Sequence, residues 1–270
     1  MAEPHQSLRS IYERALREEQ RALIGWATGL AVFSVVMLAI FPTISGNESF
    51  SKLLEAYPES LRKLFDVTDY TTGPGYLRSE VFSFMAPLLV AIFAIIWGSD
   101  LVAGEEDRGT IDALLSNPVS RRRFVVEKWA ALVSGVLLLS AMLELTLGLL
   151  GPAFKLHIGW APLSAAVLGL ALVAISCGSI AFAIGAATGS RALARGIGAA
   201  LAVASYLLSS LPSLVSWLRP VRPVSLWYHA LGTDPLVTGF HMGHLGVDLL
   251  ITLLAVLVAV VAFERRDLAV

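Results

Sequence analysis

The sequence predicts an all-α integral membrane protein with six transmembrane helices, and three observations carry that reading. Hydrophobic residues make up 56% of the 270 residues and charged residues only 15%, against about 45–50% and roughly 25% in soluble domains. The apolar residues gather in six windows, each close to the roughly 20 helical residues that cross a hydrocarbon core of about 30 Å. Charged residues fall mostly between these windows. A soluble core of this size has no room for so much apolar surface, which excludes disorder, a coiled coil and an ordinary cytosolic enzyme. A net charge of −1 supplies no basic field for nucleic acid. The one cysteine, Cys177, excludes an intrachain disulfide and a thiolate-rich metal site. The chain reads as one membrane domain over residues 1–270.

The spans are expected at about residues 22–41, 81–101, 125–150, 162–188, 196–216 and 246–263. The first is too long for a signal peptide, follows a mixed-charge segment, and is not followed by a small-x-small cleavage site. Before it, Leu8, Ile11, Tyr12, Ala15 and Leu16 stand at helical spacing, the pattern of an interfacial elbow helix lying along the membrane surface. In the second span, Pro87 is expected to kink the helix and release a backbone carbonyl. In the third, Glu144 is an ionisable group at membrane depth. It faces either a pathway or subunit interface, or snorkels outward from a slightly shifted span. Asp248, near the start of the sixth span, reads as a boundary residue of no special role. Lipid gives helices no hydrophobic reason to associate, so packing falls to small residues. The expected seams are Cys177, Ala181, Gly185 and Gly189 in the fourth span, and Gly196, Ala200 and Ala204 in the fifth.

The loops decide the orientation. With six spans both termini lie on one side, and that side receives thirteen of the 20 Lys and Arg residues although its loops are the shorter ones. The positive-inside rule therefore places the N- and C-termini in the cytoplasm. Trp26, Trp97 and Trp129 fall at cytoplasmic boundaries and Trp160 and Trp217 at outer ones, as aromatic belts do. The first outer loop holds an amphipathic piece over residues 50–65. The last, with Trp227, Tyr228 and three His residues, is expected to form short helices dipping into the outer interface.

One segment is strongly patterned. Residues 98–123 read GSDLVAGEEDRGTIDALLSNPVSRRR. Leu101, Ile111, Leu114 and Leu115 keep helical spacing, Asn117-Pro118 stops the helix, and Ser120 is placed to cap the next one. The shape is a helical elbow outside the lipid, with charged rims around a small Leu patch. It suits either the docking of a cytoplasmic partner or an ordinary helical hairpin.

Gly104, Glu105, Gly109, Thr110, Leu114, Leu115, Pro118, Val119, Ser120, Arg121 and Lys128, with the ending Phe263-Glu264-Arg265-Arg266-Asp267-Leu268, resemble the signature of the type-2 family of ABC transporter permeases. The resemblance implies a transmembrane subunit of an ATP-driven exporter in the plasma (inner) membrane. It would pair with a second permease subunit, itself or a homologue, and with two separate ABC ATPases. Residues 104–116 would be the coupling helix seated in a groove of the ATPase. There Glu105 and Arg108 would offer charged contacts, Leu114 and Leu115 the apolar one, and Pro118 the bend. The loop 189–195, with Arg191 and Arg195, would make a second contact. The chain contains no G-x-x-x-x-G-K-[ST] phosphate loop, so ATP and Mg are expected on the partner, with no cofactor and no catalytic residue here. The substrate class stays open.

Three other functions have partial support in the sequence. A sensing subunit of an ABC complex would share all these motifs without moving a substrate. An ion-coupled carrier needs intramembrane acids or broken helices, and only Glu144 lies well inside a span. A CAAX-type intramembrane protease needs an Arg four residues after the second of two paired Glu; after Glu105-Glu106 that position is Thr110. His241-x-x-His244 has no acidic or Cys neighbour and suits helical zinc ligands poorly.

Overall fold

The computed structural model of the chain describes residues 10–45, 47, 56, 58, 69–110 and 120–266, and these are helical with no strand. Six helices among them are long and apolar enough to cross a membrane. The segment expected to be amphipathic at 50–65 lies almost wholly outside the described residues.

Helix α1 spans Ile11–Ile44. Ser10 starts it, its Oγ accepting from the Glu13 N–H at 3.2 Å. The expected interfacial elbow is not a separate element: the helix runs unbroken through residues 11–44 into the first span. No Gly or Pro occurs between Ile11 and Ile24 to break it, and about 51 Å of helix is longer than a hydrocarbon core. The second span begins earlier than expected. Helix α2 (Gly73–Leu77) passes into a π-helical turn, Arg78–Phe82, and α3 (Met85–Asp100) follows. The interruption has an identifiable cause. Pro87, buried as the third residue of α3, has no N–H for the Ser83 carbonyl, and the Ser83 N–H bonds five residues back to Arg78 at 2.7 Å.

A one-turn helix, α4 (Ala103–Asp107), follows α3 directly. Helix α5 (Arg121–Leu150) is capped by Ser120, as its sequence indicates, and α6 (Trp160–Thr188) returns across the bundle. Gly189, at φ +68°, ends α6 in the left-handed conformation that glycine adopts at no steric cost. Helix α7 (Arg191–Ser210) leads through two 3₁₀ segments to the short α8 (Leu226–Leu231) and α9 (Pro235–Thr238). Helix α10 (Met242–Arg265) closes the bundle.

Helix α6 is the axis, packed against α3, α5, α7, α8, α9 and α10. Over its most apolar stretch α6 is 78% buried, against 22% for α1, α7 and α10. Glycine makes this possible where backbones meet: a Cβ on Gly98 of α3 would overlap the Gly178 carbonyl oxygen of α6. The fourth-span seam is found for Cys177, Ala181 and Gly185, all buried against neighbours. Gly189 serves the turn instead. The fifth-span seam is corrected. Gly196, Ala200 and Ala204 are exposed, and the buried face of α7 carries Ala194, Gly198, Ala202 and Ser205. The helix has small residues on two faces, and contacts to α6 and α8 choose between them. Gly198 approaches Ala181, and Ser205 Oγ accepts the Leu226 N–H at 2.8 Å. The outward side of α10 is a strip of Leu249, Leu250, Leu253, Leu254 and Leu257, each at least half exposed, as a lipid-facing helix requires.

Replacing Gly98 with Ala is expected to lower the stability of the purified protein by about 1–3 kcal/mol, because the clash is with backbone. Gly196→Ala meets nothing within 4 Å and is expected to leave stability unchanged or slightly raised. Thermal unfolding of both variants in one detergent separates the two outcomes.

Candidate functional site

At one end of the bundle the start of α1, the end of α3, α4, the start of α5, the start of α7 and the end of α10 meet. This junction end holds both described chain ends. Its centre is a buried ion pair. Glu105 of α4 is 1% exposed and Lys128 of α5 is 2% exposed, and Lys128 Nζ lies 2.6 Å from Glu105 Oε1. The Thr110 hydroxyl donates to the other carboxylate oxygen.

The local sequence explains how Glu105 comes to be there. Gly109, at φ +66°, stops α4. The Gly109 N–H then bonds the Glu106 carbonyl at 2.9 Å and the Thr110 N–H bonds the Glu105 carbonyl at 2.9 Å. This is the paired closure of a Schellman helix end. Thr110 thus holds both the backbone and the side chain of Glu105. Gly104 has its own reason, since a Cβ there would lie 2.5 Å from Asp100 Oδ1. The Gly-Glu-x-x-x-Gly-Thr pattern is therefore a one-turn helix folded back on the end of α3 and stopped at once.

A second set of ion pairs surrounds the first. Asp100 accepts from Arg108 Nη1 at 3.0 Å and from Arg191 Nη1 at 3.0 Å, with Arg195 Nη2 at 3.8 Å. Arg191 Nε also reaches Asp107 Oδ2 at 2.5 Å, and Arg195 Nε donates to Ser99 Oγ at 3.1 Å. One helical turn apart, the two arginines lie on the same face of α7 and grip α3 and α4 together. On the other side Arg266 pairs with Glu106 at 2.9 Å, while Arg121 Nη1 donates to the Arg266 carbonyl at 2.8 Å. Phe124 of α5 stacks on Phe263 of α10 beneath them, centroids 5.6 Å apart. The Tyr12 N–H donates to Glu127 at 3.2 Å and so brings α1 into the same assembly.

Gly104, Glu105, Arg108, Gly109, Thr110, Arg121, Arg191 and Arg195 thus converge on one site. Leu114, Leu115 and Pro118 lie outside the described residues. Glu105 corrects one expectation: its carboxylate points inward to Lys128 and Thr110, so it positions α4 and does not present its charge at the surface. Arg108, about half exposed, does remain at the rim. Pro87 and Glu144 are elsewhere. Glu144 is half-buried near the opposite, loop end of α5 and accepts from the Ser164 hydroxyl of α6. Sequence reading passed over Asp100, Asp107, Glu106 and Arg266, which do as much here as the motif residues. The available signal was their charge inside the two patterned runs. The expectation that Asp248 is a boundary residue of no special role is corrected, since it is fully buried.

Burial pushes the Glu105 carboxyl up. The Lys128 charge and hydrogen bond, the Thr110 hydroxyl and the Arg108 charge outweigh that and leave it below the ordinary carboxylate range. Charged contacts at 2.5–3.0 Å join residues 104–110 to α3, α5, α7 and the end of α10. The family described as ABC-2 family transporter protein matches residues 9–268. No curated protein matches the chain.

Removing one partner of the buried pair strands the other, so Lys128→Met is expected to cost about 3–5 kcal/mol. Adding Glu105→Gln should recover most of that, as a thermal-unfolding double-mutant cycle would show. Because the folded-state carboxyl is depressed, its contribution is complete at neutral pH. It fades as pH falls through the ordinary carboxylate range and below, and Glu105→Gln should abolish that part of the acid profile.

Proposed function

Because the chain belongs to the ABC-2 transporter family, we propose that it is the transmembrane subunit of an ATP-driven exporter whose junction end faces the cytoplasm and receives the stroke of a separate ABC ATPase. The family's members are membrane transport subunits, and six apolar helices make this one a multi-pass membrane protein. The observation that carries the finer reading is the junction itself. The segment that resembles the family's coupling motif is joined at its near end to α5 by the Glu105–Lys128 pair, to α3 and α7 by the Asp100 cluster, and to the end of α10 by the Glu106–Arg266 pair.

In this reading two such membrane subunits and two ATPases form the working unit, with ATP and Mg bound by the partners. Closure of the ATPases pushes residues 104–116 inward. Since α4 cannot slide on α5 without breaking the buried Glu105–Lys128 pair, the push becomes a tilt of whole helices. Transport then requires that the two tilted states bind the substrate with different affinity. The Arg and Lys residues concentrated at the junction end favour a cytoplasmic position for it, and the N- and C-termini go with it to the inner face of the plasma membrane.

The test is co-purification. Replacing Leu114 and Leu115 together with Asp is expected to abolish recovery of the ATPase with the tagged permease while membrane insertion stays at the wild-type level. Unchanged recovery would remove the coupling role from this segment. Arg108→Glu, at the exposed rim, should weaken recovery in part and more so at high salt, as a screened contact does.

A further inference from the structure

Between its cap and Phe263, helix α10 is apolar except for one stripe. His241 at its cap, then His244, Asp248 and Thr252, recur at three- and four-residue intervals and share one face. Asp248 and Thr252 are buried against α6, opposite the leucine strip. At the loop end, His229 of α8 meets His244, with Nδ1 to Nδ1 at 3.1 Å. His229 Nε2 lies 2.7 Å from the Pro223 carbonyl oxygen, which can only accept, so Nε2 carries a proton. In the neutral ring His229 Nδ1 is then the acceptor and His244 Nδ1–H the donor. A further proton can be taken up on His229 if His244 changes tautomer, and the hydrogen bond survives. The pair can hold a proton and hand it on.

One turn deeper on the same face stands Asp248. It is fully buried, and neither carboxylate oxygen has a hydrogen-bond partner. No cation pairs with it among the described residues. From α6, Ser176 donates to the Asp248 backbone carbonyl at 3.2 Å and shares a hydrogen bond with Thr252 at 2.9 Å, while Cys177 is the ionisable group of that helix that faces Asp248. From α8 the titratable group is His229. On α5, Glu144 is engaged with Ser164, and Glu127, Lys128 and Arg121 are committed at the junction end. An ionised carboxylate so buried, with no counter-charge among the described residues, costs far more than the neutral acid.

We propose that Asp248 is a proton-binding site inside the bundle, loaded from the loop end through the His229–His244 pair. Protonated, it lets α10 stay closed on α6. Deprotonated, it requires water or a cation, which the packed interface admits only if the two helices part. The protonation state of one buried acid is thereby linked to the α6–α10 contact, whatever partner acts at the other end of the molecule.

Infrared spectroscopy of the purified full-length chain in lipid nanodiscs tests this. At neutral pH the wild type should show a protonated-carboxyl C=O band that shifts in D₂O and is lost in Asp248→Asn. Absence of the band, or its persistence in the variant, overturns the proposal. So does its disappearance when sodium or potassium chloride is added at constant pH, which assigns the site to a metal cation. Should Asp248→Asn fail to fold, aspartate labelled with ¹³C at the side-chain carboxyl in the wild type replaces it. The band must then move with the label, and a band that does not move is not an aspartate. His244→Gln should slow deuterium exchange of the band, and wild-type exchange in that variant would overturn the loading route.

Discussion

One buried ion pair organises the junction end. Glu105 and Lys128 are almost without exposure and bonded at 2.6 Å. Moving two such charges out of water costs several kcal/mol each, and their attraction in a low dielectric returns that only if the geometry is complete. Here it is completed by the Thr110 hydroxyl and by a helix end that leaves the Glu105 carbonyl satisfied as well. Such a pair adds little net stability over a well-packed apolar substitute. Its consequence is uniqueness of position, since any shift of α4 by half a turn leaves two charges stranded. That is the property a segment needs if it is to pass on a movement rather than absorb it.

The outer ring of charges behaves differently. Arg108, Arg191 and Arg195 are each more than a third exposed, and exposed pairs are individually worth up to about 1 kcal/mol. They matter as a set around Asp100, where one carboxylate gathers three guanidinium groups from α4's end and the first turn of α7. A buried anchor with a solvated, adjustable rim joins firmness inside to tolerance at the surface.

Deeper in the bundle a different force dominates. Among lipid-embedded helices, close backbone approach replaces the hydrophobic effect as the source of cohesion, and α6 is built for it at Gly169, Gly178 and Gly185. The same helix also carries Ser176, whose hydroxyl meets α10 beside Asp248. The axis of the molecule therefore packs directly against the helix that carries the buried, unpartnered Asp248.

Composition and apolar run length by themselves determined the membrane class and the six spans, because a roughly 30 Å slab of hydrocarbon leaves little freedom in how a chain can cross it; the family came from the resemblance of its motifs. The Gly-Glu-x-x-x-Gly-Thr motif was legible as a pattern, but the helix expected to run through 104–116 to Asn117-Pro118 is interrupted at Gly109, whose positive φ closes α4 after Asp107. Only the tertiary structure decided which way each side chain faced. It turned Glu105 inward, chose Gly198 over Gly196 as the packed face of α7, and made α1 one continuous helix. It brought Arg266 to Glu106 and His229 to His244 across stretches of chain that no spacing rule connects. Asp248 was misjudged for the same reason: depth along a helix can be counted from the sequence, but burial depends on what packs against it.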